Sequence, residues 1–300
     1  MPSSDAAARR RLLGVALVLL SAVAFGSTSI FADLAFRDGA DEFTVLLIRF
    51  GIAAAVLLAV MAVRRMPLPP WRIVVGLILL GVLGRAGQGI TYFSALELAP
   101  AGLVALLLYL YPALVTLLAV VFLKERLTRG KILALLVALA GTALAAGPVA
   151  GGEPLGVLLS LATAAIYAVY IVASSRVTWQ ASAFVSSALI VAGTVLPYAG
   201  IEAVRGTIGR TPYVPTLPRT ALGWGAILAM ALFSTVVGTV TFFAGLQRVG
   251  PTNTSILSTF EPIWTVLLAA LVLGERLSAV QLAGGVLILA AVLALASSKA

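Results

Sequence analysis

Residues 117–127 read LLAVVFLKERL and residues 267–277 read LLAALVLGERL, 150 positions later. Leucines match by chance between any two apolar segments. A charged Glu-Arg-Leu closing an apolar helix, Glu125-Arg126-Leu127 and again Glu275-Arg276-Leu277, with an upstream proline that also aligns (Pro112, Pro262), does not follow from composition. The same shift superposes 92–146 on 242–296 and pairs Phe93 with Phe243, Leu96 with Leu246 and Leu123 with Leu273. Earlier in each half, Leu20-Ser21 resembles Leu159-Ser160. The chain therefore reads as a duplicated unit, 1–148 and 149–300.

Around this repeat the composition is that of a lipid-soluble protein. Of 300 residues, 61% are apolar and 10% charged, against roughly 45–50% and 25% in soluble proteins. A soluble domain of this length buries only about 75% of its surface, so the surplus requires an apolar solvent and excludes a cytosolic enzyme. Ten apolar runs near the ~20-residue length that crosses a bilayer fall at 12–35, 43–63, 72–96, 100–122, 131–148, 154–175, 181–203, 220–246, 251–273 and 278–297. Gly39, Pro67, Pro69 with Pro70, Pro100, Gly147 to Pro154, and Gly250 with Pro251 break them. Only 204–219, with Pro212, Pro215 and Pro218, is a long loop. Five spans per half is an odd number, so the second half enters the membrane from the opposite side. The fold expected is an all-α integral membrane protein: ten transmembrane helices in two inverted five-helix repeats.

Of the 20 Lys and Arg, 13 fall on the side of the N-terminus. Five (Arg37, Arg205, Arg210, Arg219, Arg276) fall on the other, and Arg49 and Arg85 lie within spans. The excess of positive charge on the cytoplasmic side places both termini in the cytoplasm. One alternative is a cleavable leader, because Arg9-Arg10-Arg11, an apolar run and Ala22-Val23-Ala24 resemble a signal peptide. Cleavage would leave nine spans and spoil the symmetry. The net charge of +9 thus reflects topology and anionic lipid, and no nucleic-acid partner is expected.

The chain has no Cys and no His, which removes thiolate and imidazole chemistry. No metal or cofactor is expected, and no enzyme activity: Glu261 and lysines outside the spans are the only candidate bases. Gly81, Gly84, Gly87 and Gly89 lie in an apolar helix without a βαβ context, so they serve close helix packing rather than phosphate binding.

Ten spans in two halves, each with a mid-helix proline and a terminal Glu-Arg-Leu, together with Leu47-Ile48-Arg49-Phe50 in the second span, resemble the drug/metabolite transporter superfamily, in its ten-span EamA-type exporter branch. Within that branch the chain is similar to bacterial inner-membrane exporters of aromatic amino acids. The resemblance implies secondary transport of a small molecule by alternating access, with the substrate at the interface of inverted halves. Drug, sugar or nucleotide-sugar export, or a non-transport membrane scaffold, are the alternatives. Related small multidrug transporters rely on a carboxylate in their first span; here that span has only Asp33 near its outer end, which disfavours cationic drugs. A homodimer is left open.

Charges within lipid cost about 2.5–3.5 kcal/mol each, so Arg49, Arg85 and Glu261 require an interior or watery setting. Arg49 is expected to lock helix ends, and Glu125, Arg126, Glu275 and Arg276 to serve in structural ion pairs or at helix ends. Arg85 shares a helical face with Gln88 and Tyr92 at i, i+3, i+7: a guanidinium for a carboxylate, an amide for hydrogen bonds and an aromatic wall. Glu261, beside Pro262, matches Tyr111, beside Pro112. Its carboxylate can bind a substrate ammonium, carry a coupling proton or pair with an arginine. Ser27, Phe31, Tyr109, Tyr167, Tyr170 and Trp264 recur where a cavity would be lined and suggest an amphipathic or apolar substrate.

Overall fold

The computed structural model describes residues 4–146, 151–208, 215–273 and 278–297, and the regular elements among them are all helical. Ten apolar segments follow in order: α1 (Ala8–Arg37), α2 (Glu42–Val63), α3 (Trp71–Leu96), α4 (Ala101–Leu123), α5 (Arg129–Ala146), α6 (Pro154–Gln180), α7 (Ala183–Arg205), α8 (Ala221–Val249), α9 (Pro251–Val272) and α10 (Ala279–Ala296). Each corresponds to one apolar run of the sequence. Among the described residues nine are long and apolar enough to cross a bilayer by themselves. The tenth, α5, opens on Arg129 and Lys131 and packs along α10. Glu275, Arg276 and Leu277 lie outside the described residues, as do Gly147 and Pro212.

The helix contacts come in twins. α1 packs along α8 as α3 packs along α6, and α9 packs on α1 as α4 packs on α6. The pairs α2–α7, α4–α9 and α5–α10 each map onto themselves when the halves are exchanged. A two-fold relation between two five-helix units produces this pattern, since an odd number of spans forces the copy to run the other way. At the α5–α10 crossing there is no room for side chains: a Cβ on Gly141 would lie 2.8 Å from the Gly284 carbonyl oxygen, and one on Gly284 2.5 Å from that of Gly141. Their repeat mates Ala291 and Ala134 are buried as well. Small residues at such seams let backbones approach where no hydrophobic force drives helices together.

The crossings also set the register of the first helix of each half. A Cβ on Gly14 would meet Arg248 Cβ at 2.7 Å, and one on Gly156 would meet Ala99 Cβ at 2.9 Å and Leu98 Cβ at 3.0 Å. Leu98-Ala99 and Arg248-Val249 are repeat mates, so Gly14 matches Gly156. The correspondence of Leu20-Ser21 with Leu159-Ser160 is therefore about one turn out of register. Leucine and serine recur at turn spacing in any apolar helix, whereas space alone dictates glycine at a crossing.

Irregularities in the helices are duplicated too. α3 widens into π-helix over Leu80–Ala86 and α8 over Met230–Val237. α4 is interrupted between Leu108 and Tyr111, and α9 between Leu257 and Phe260. Pro112 and Pro262 cause these breaks, because a proline ring clashes with the carbonyl four residues earlier, at Leu108 and Ser258, and supplies no N–H to it. α1 is interrupted at Ser27, whereas its mate α6 runs as one α-helix from Pro154 to Val177.

The bundle is apolar outside and mixed inside. Leu83, Leu117, Leu271, Val286 and Leu293 are exposed, as lipid-facing side chains must be, while Ser21, Ser160, Thr163 and Thr194 are fully buried. These four hydroxyls are hydrogen-bonded, Ser21 donating to the Gly238 carbonyl, Ser160 to Gly156, Thr163 to Leu159 and Thr194 to Ile190, each at 2.8 Å. At one end Glu125 ties three helices, bonding Lys131 Nζ at 2.6 Å and accepting from the Thr252 hydroxyl at 2.8 Å. At the other end Asp41 accepts from Thr44 N, Arg205 and Thr216 N, each at 3.2 Å, and joins α2 to α7 and to the segment before α8.

Candidate functional site

The wide turn of α3 carries Arg85 near its end, and the regular helix that resumes at Gly87 carries Gln88. Arg85 Nη1 donates to Gln88 Oε1 at 2.6 Å, which fixes one edge of the guanidinium. Its Cζ lies 5.7 Å from the Phe25 ring centre and 5.8 Å from that of Phe50. Aromatic faces attract a cation without neutralising it, so Arg85 remains available to an anion. Within electrostatic reach of it is Glu261, at the start of the second part of α9. Among the described residues, the Glu261 side chain makes no hydrogen bond or ion pair.

Around this opposed pair runs a chain of aromatic rings. Tyr109 lies 6.3 Å from Tyr111, Tyr111 4.8 Å from Tyr167, and Tyr167 6.0 Å from Tyr170. The chain continues through Phe243, Phe242 and Phe25, with centroid separations of 6.3, 5.4 and 6.2 Å, and ends at Arg85. These spacings are those of favourable edge-to-face and offset pairs. Glu261 acts electrostatically on Tyr92, Tyr109, Tyr111 and Tyr167. Tyr111 also reaches the Ser255 carbonyl at 3.5 Å, across the α4–α9 contact.

The remaining residues singled out in the sequence lie at varying distance from this centre. Trp264 Nε1 donates to Ser27 Oγ at 3.0 Å, and Thr265 Oγ1 to the Gly26 carbonyl at 2.9 Å, so the break in α1 is held against α9 one turn from Glu261. Tyr92 stacks edge-on against Phe93 at 5.4 Å and packs with Ala95, Ala99 and Val104. Phe31 sits apart, in an apolar cluster with Ala35, Val45, Ile227 and Met230. Arg49 is buried, 4.4 Å from the centre of Phe50, and donates to Met230 Sδ at 3.3 Å, while its Nε has no hydrogen-bond partner among the described residues. Phe50 therefore lies against both intramembrane arginines. Glu125 belongs to the three-helix tie at the far end, and Arg126 is exposed there.

Phe25, Phe50, Phe242 and Phe243 are aromatic neighbours of this centre that pattern alone does not assign to it. Phe243 was visible as the mate of Phe93, but nothing in either half says that a ring of the second half meets Tyr170 of α6 while its neighbour meets Phe25 of α1.

Two matches to the EamA-like transporter family cover residues 12–147 and 154–297. The chain is 30% identical over 267 residues to an aromatic amino acid exporter, YddG, of Ancylobacter novellus, covering 86% of each. It is 29% identical over 291 residues to an uncharacterized transporter of Archaeoglobus fulgidus, covering 93% of this chain and 95% of that one. A solved crystal structure with 26% sequence identity superposes with a TM-score of 0.76, covering 94% and 95% of the two chains. The two-fold bundle, its paired helix breaks and the duplicated family match agree: this multi-pass membrane protein is a transporter of small molecules, not an enzyme, and belongs to the EamA-like transporter family.

Proposed function

We propose that this protein exports hydrophobic and aromatic amino acids across a bacterial inner membrane by alternating access, its two inverted halves rocking about the site between α3, α4, α6 and α9. The observation that carries the proposal is that Arg85, held by Gln88 and without an ion pair among the described residues, lies within electrostatic reach of Glu261, beside a row of tyrosines and phenylalanines of which Tyr167 feels both charges. A zwitterionic amino acid presents a carboxylate, an ammonium and a side chain. The site offers a guanidinium with donors for the first, a carboxylate for the second and ring faces for the third. A sugar needs many hydroxyl partners and a nucleotide-sugar two phosphates, neither of which this lining supplies. The name of the Ancylobacter relative supports the same class.

The test is efflux from proteoliposomes preloaded with labelled phenylalanine, tryptophan, leucine, glutamate or glucose. Phenylalanine and tryptophan are expected to leave at least about tenfold faster than from empty liposomes, and glucose at the background rate. Glucose or glutamate leaving as fast as tryptophan overturns the substrate class, and no flux for any amino acid overturns the transport reading of the site. Repeating the measurement with an imposed pH gradient shows whether protons are coupled.

Both termini are placed in the cytoplasm, on the side of most Lys and Arg. Because the chain lacks cysteine, single substitutions report topology without background. In intact cells Thr216→Cys is expected to react with a membrane-impermeant maleimide and Thr128→Cys only after permeabilisation; the reverse order rejects this orientation.

A further inference from the structure

A groove remote from the transport site opens where α1 begins, lined by Ala6, Arg9, Arg10, Leu13, Trp179, Gln247 and Arg248. Among the described residues it holds three guanidinium groups and no carboxylate. Its walls are fixed by the packing already described: α1 lies so close to α8 at Gly14 that a Cβ there would fall 2.7 Å from Arg248 Cβ, and Arg9 and Arg10 follow one turn further along α1 in the same groove. The Gln247 amide donates to the Thr178 carbonyl at 2.5 Å and to the Ala181 carbonyl at 3.1 Å, and so pins the 3₁₀ turn that carries Trp179. Trp179 is 62% exposed and Leu13 50%, so an apolar rim adjoins the cations. Trp at this level is typical of the membrane–water interface.

We propose that this groove binds the phosphate headgroup of an anionic phospholipid, with an acyl chain lying along Leu13 and Trp179. The internal duplication provides a control within the molecule. The same crossing in the other half, between α6 and α3, has Leu155 where Leu13 stands and Glu97 and Leu98 where Gln247 and Arg248 stand; the sequence mates of Arg9 and Arg10 are Gly151 and Gly152, which precede the helix. The close approach at Gly14 and Gly156 is common to both, but the three cations occur in only one. Packing of the crossing does not require them, since the twin crossing forms without them. A free phosphate would satisfy the arginines and leave the apolar rim unused, whereas a phospholipid uses both. Negative lipid headgroups attract each nearby basic residue appreciably.

Native mass spectrometry of the purified full chain, delipidated and then titrated with phosphatidylglycerol or phosphatidylcholine, tests this. Phosphatidylglycerol is expected to remain bound as a one-to-one adduct at least about fivefold more than phosphatidylcholine. Arg248→Gln should lower that retention about fivefold, and R9Q/R10Q/R248Q should abolish the preference. R64Q/R65Q/R72Q, which removes as much charge elsewhere on the same side, should retain it. Arg9 and Arg10 also help orient the chain, so Arg248→Gln alone tests the groove without altering insertion. Equal retention of the two lipids, an equal loss in R64Q/R65Q/R72Q, or full retention in Arg248→Gln overturns the site. Displacement by millimolar inorganic phosphate overturns the lipid as its ligand.

Discussion

Arg85→Ala is expected to lower efflux of phenylalanine at sub-saturating concentration by at least about tenfold. A hydrogen bond between charged groups contributes about 1.5–3 kcal/mol, and each 1.4 kcal/mol is a factor of about ten in binding. Arg85→Lys keeps the charge but loses the planar fork that Gln88 orients, so it should recover part of the flux and not all of it. Gln88→Ala, which frees the guanidinium without removing it, should cost less than either. The Glu261 variant separates the two poles of the site. Glu261→Gln should slow phenylalanine and leave 3-phenylpropionate, which has the ring and carboxylate but no ammonium, unchanged. Wild-type flux of phenylalanine in Arg85→Ala protein that elutes as a single species would remove Arg85 from the site.

The second large effect concerns stability and follows from four glycines in α3 whose surroundings differ. A Cβ on Gly81 would collide with the Ile190 carbonyl oxygen and approach Thr194 N at 2.9 Å, both backbone atoms of α7. One on Gly84 would lie 2.5 Å from Tyr170 Cδ2, and one on Gly89 would collide with the Tyr198 hydroxyl, whereas at Gly87 the neighbour is Ile166 Cγ2 at 3.9 Å. Gly81→Ala is therefore expected to destabilise by about 3 kcal/mol, the upper end of overpacking costs, and to lower the unfolding temperature in detergent by several degrees. Gly87→Ala has room, and alanine favours a helix by about 0.8–1.0 kcal/mol over glycine, so it should be neutral or stabilising. Gly89→Ala should be damaging alone and largely repaired by Tyr198→Phe, which deletes the offending hydroxyl. A scan by intrinsic tryptophan fluorescence checks the order; equal effects at Gly81 and Gly87 would show that this seam does not constrain α3.

The scaffold was legible because its strongest signals are rare in apolar sequence. Glu125-Arg126-Leu127 and its copy could not arise from leucine-rich composition, and Pro112 with Pro262 marked the helix breaks to within a turn. The face Arg85, Gln88 and Tyr92 was visible as helical spacing, and its first two members touch. What spacing could not convey is contact between halves. Phe25 meets Phe242, and Phe50 meets Tyr198 at 5.6 Å, through a two-fold packing that no local pattern encodes. Arg49 illustrates the same limit: its charge predicted a special environment, but a thioether and an aromatic face supply that environment, and both are indistinguishable in sequence from ordinary packing residues.

The two π-helical stretches, Leu80–Ala86 and Met230–Val237, also bear on the history of the chain. A wide turn arises when a helix accommodates an extra residue without losing its register on either side. Two independent insertions at matching positions of separate copies would be a coincidence. A single insertion in a five-helix ancestor, copied when that ancestor's gene doubled, accounts for both. On that account the wide turn beside Arg85 is older than the duplication. Present-day five-helix relatives, where they exist as separate chains, should carry the same wide turn at the same depth of their third helix.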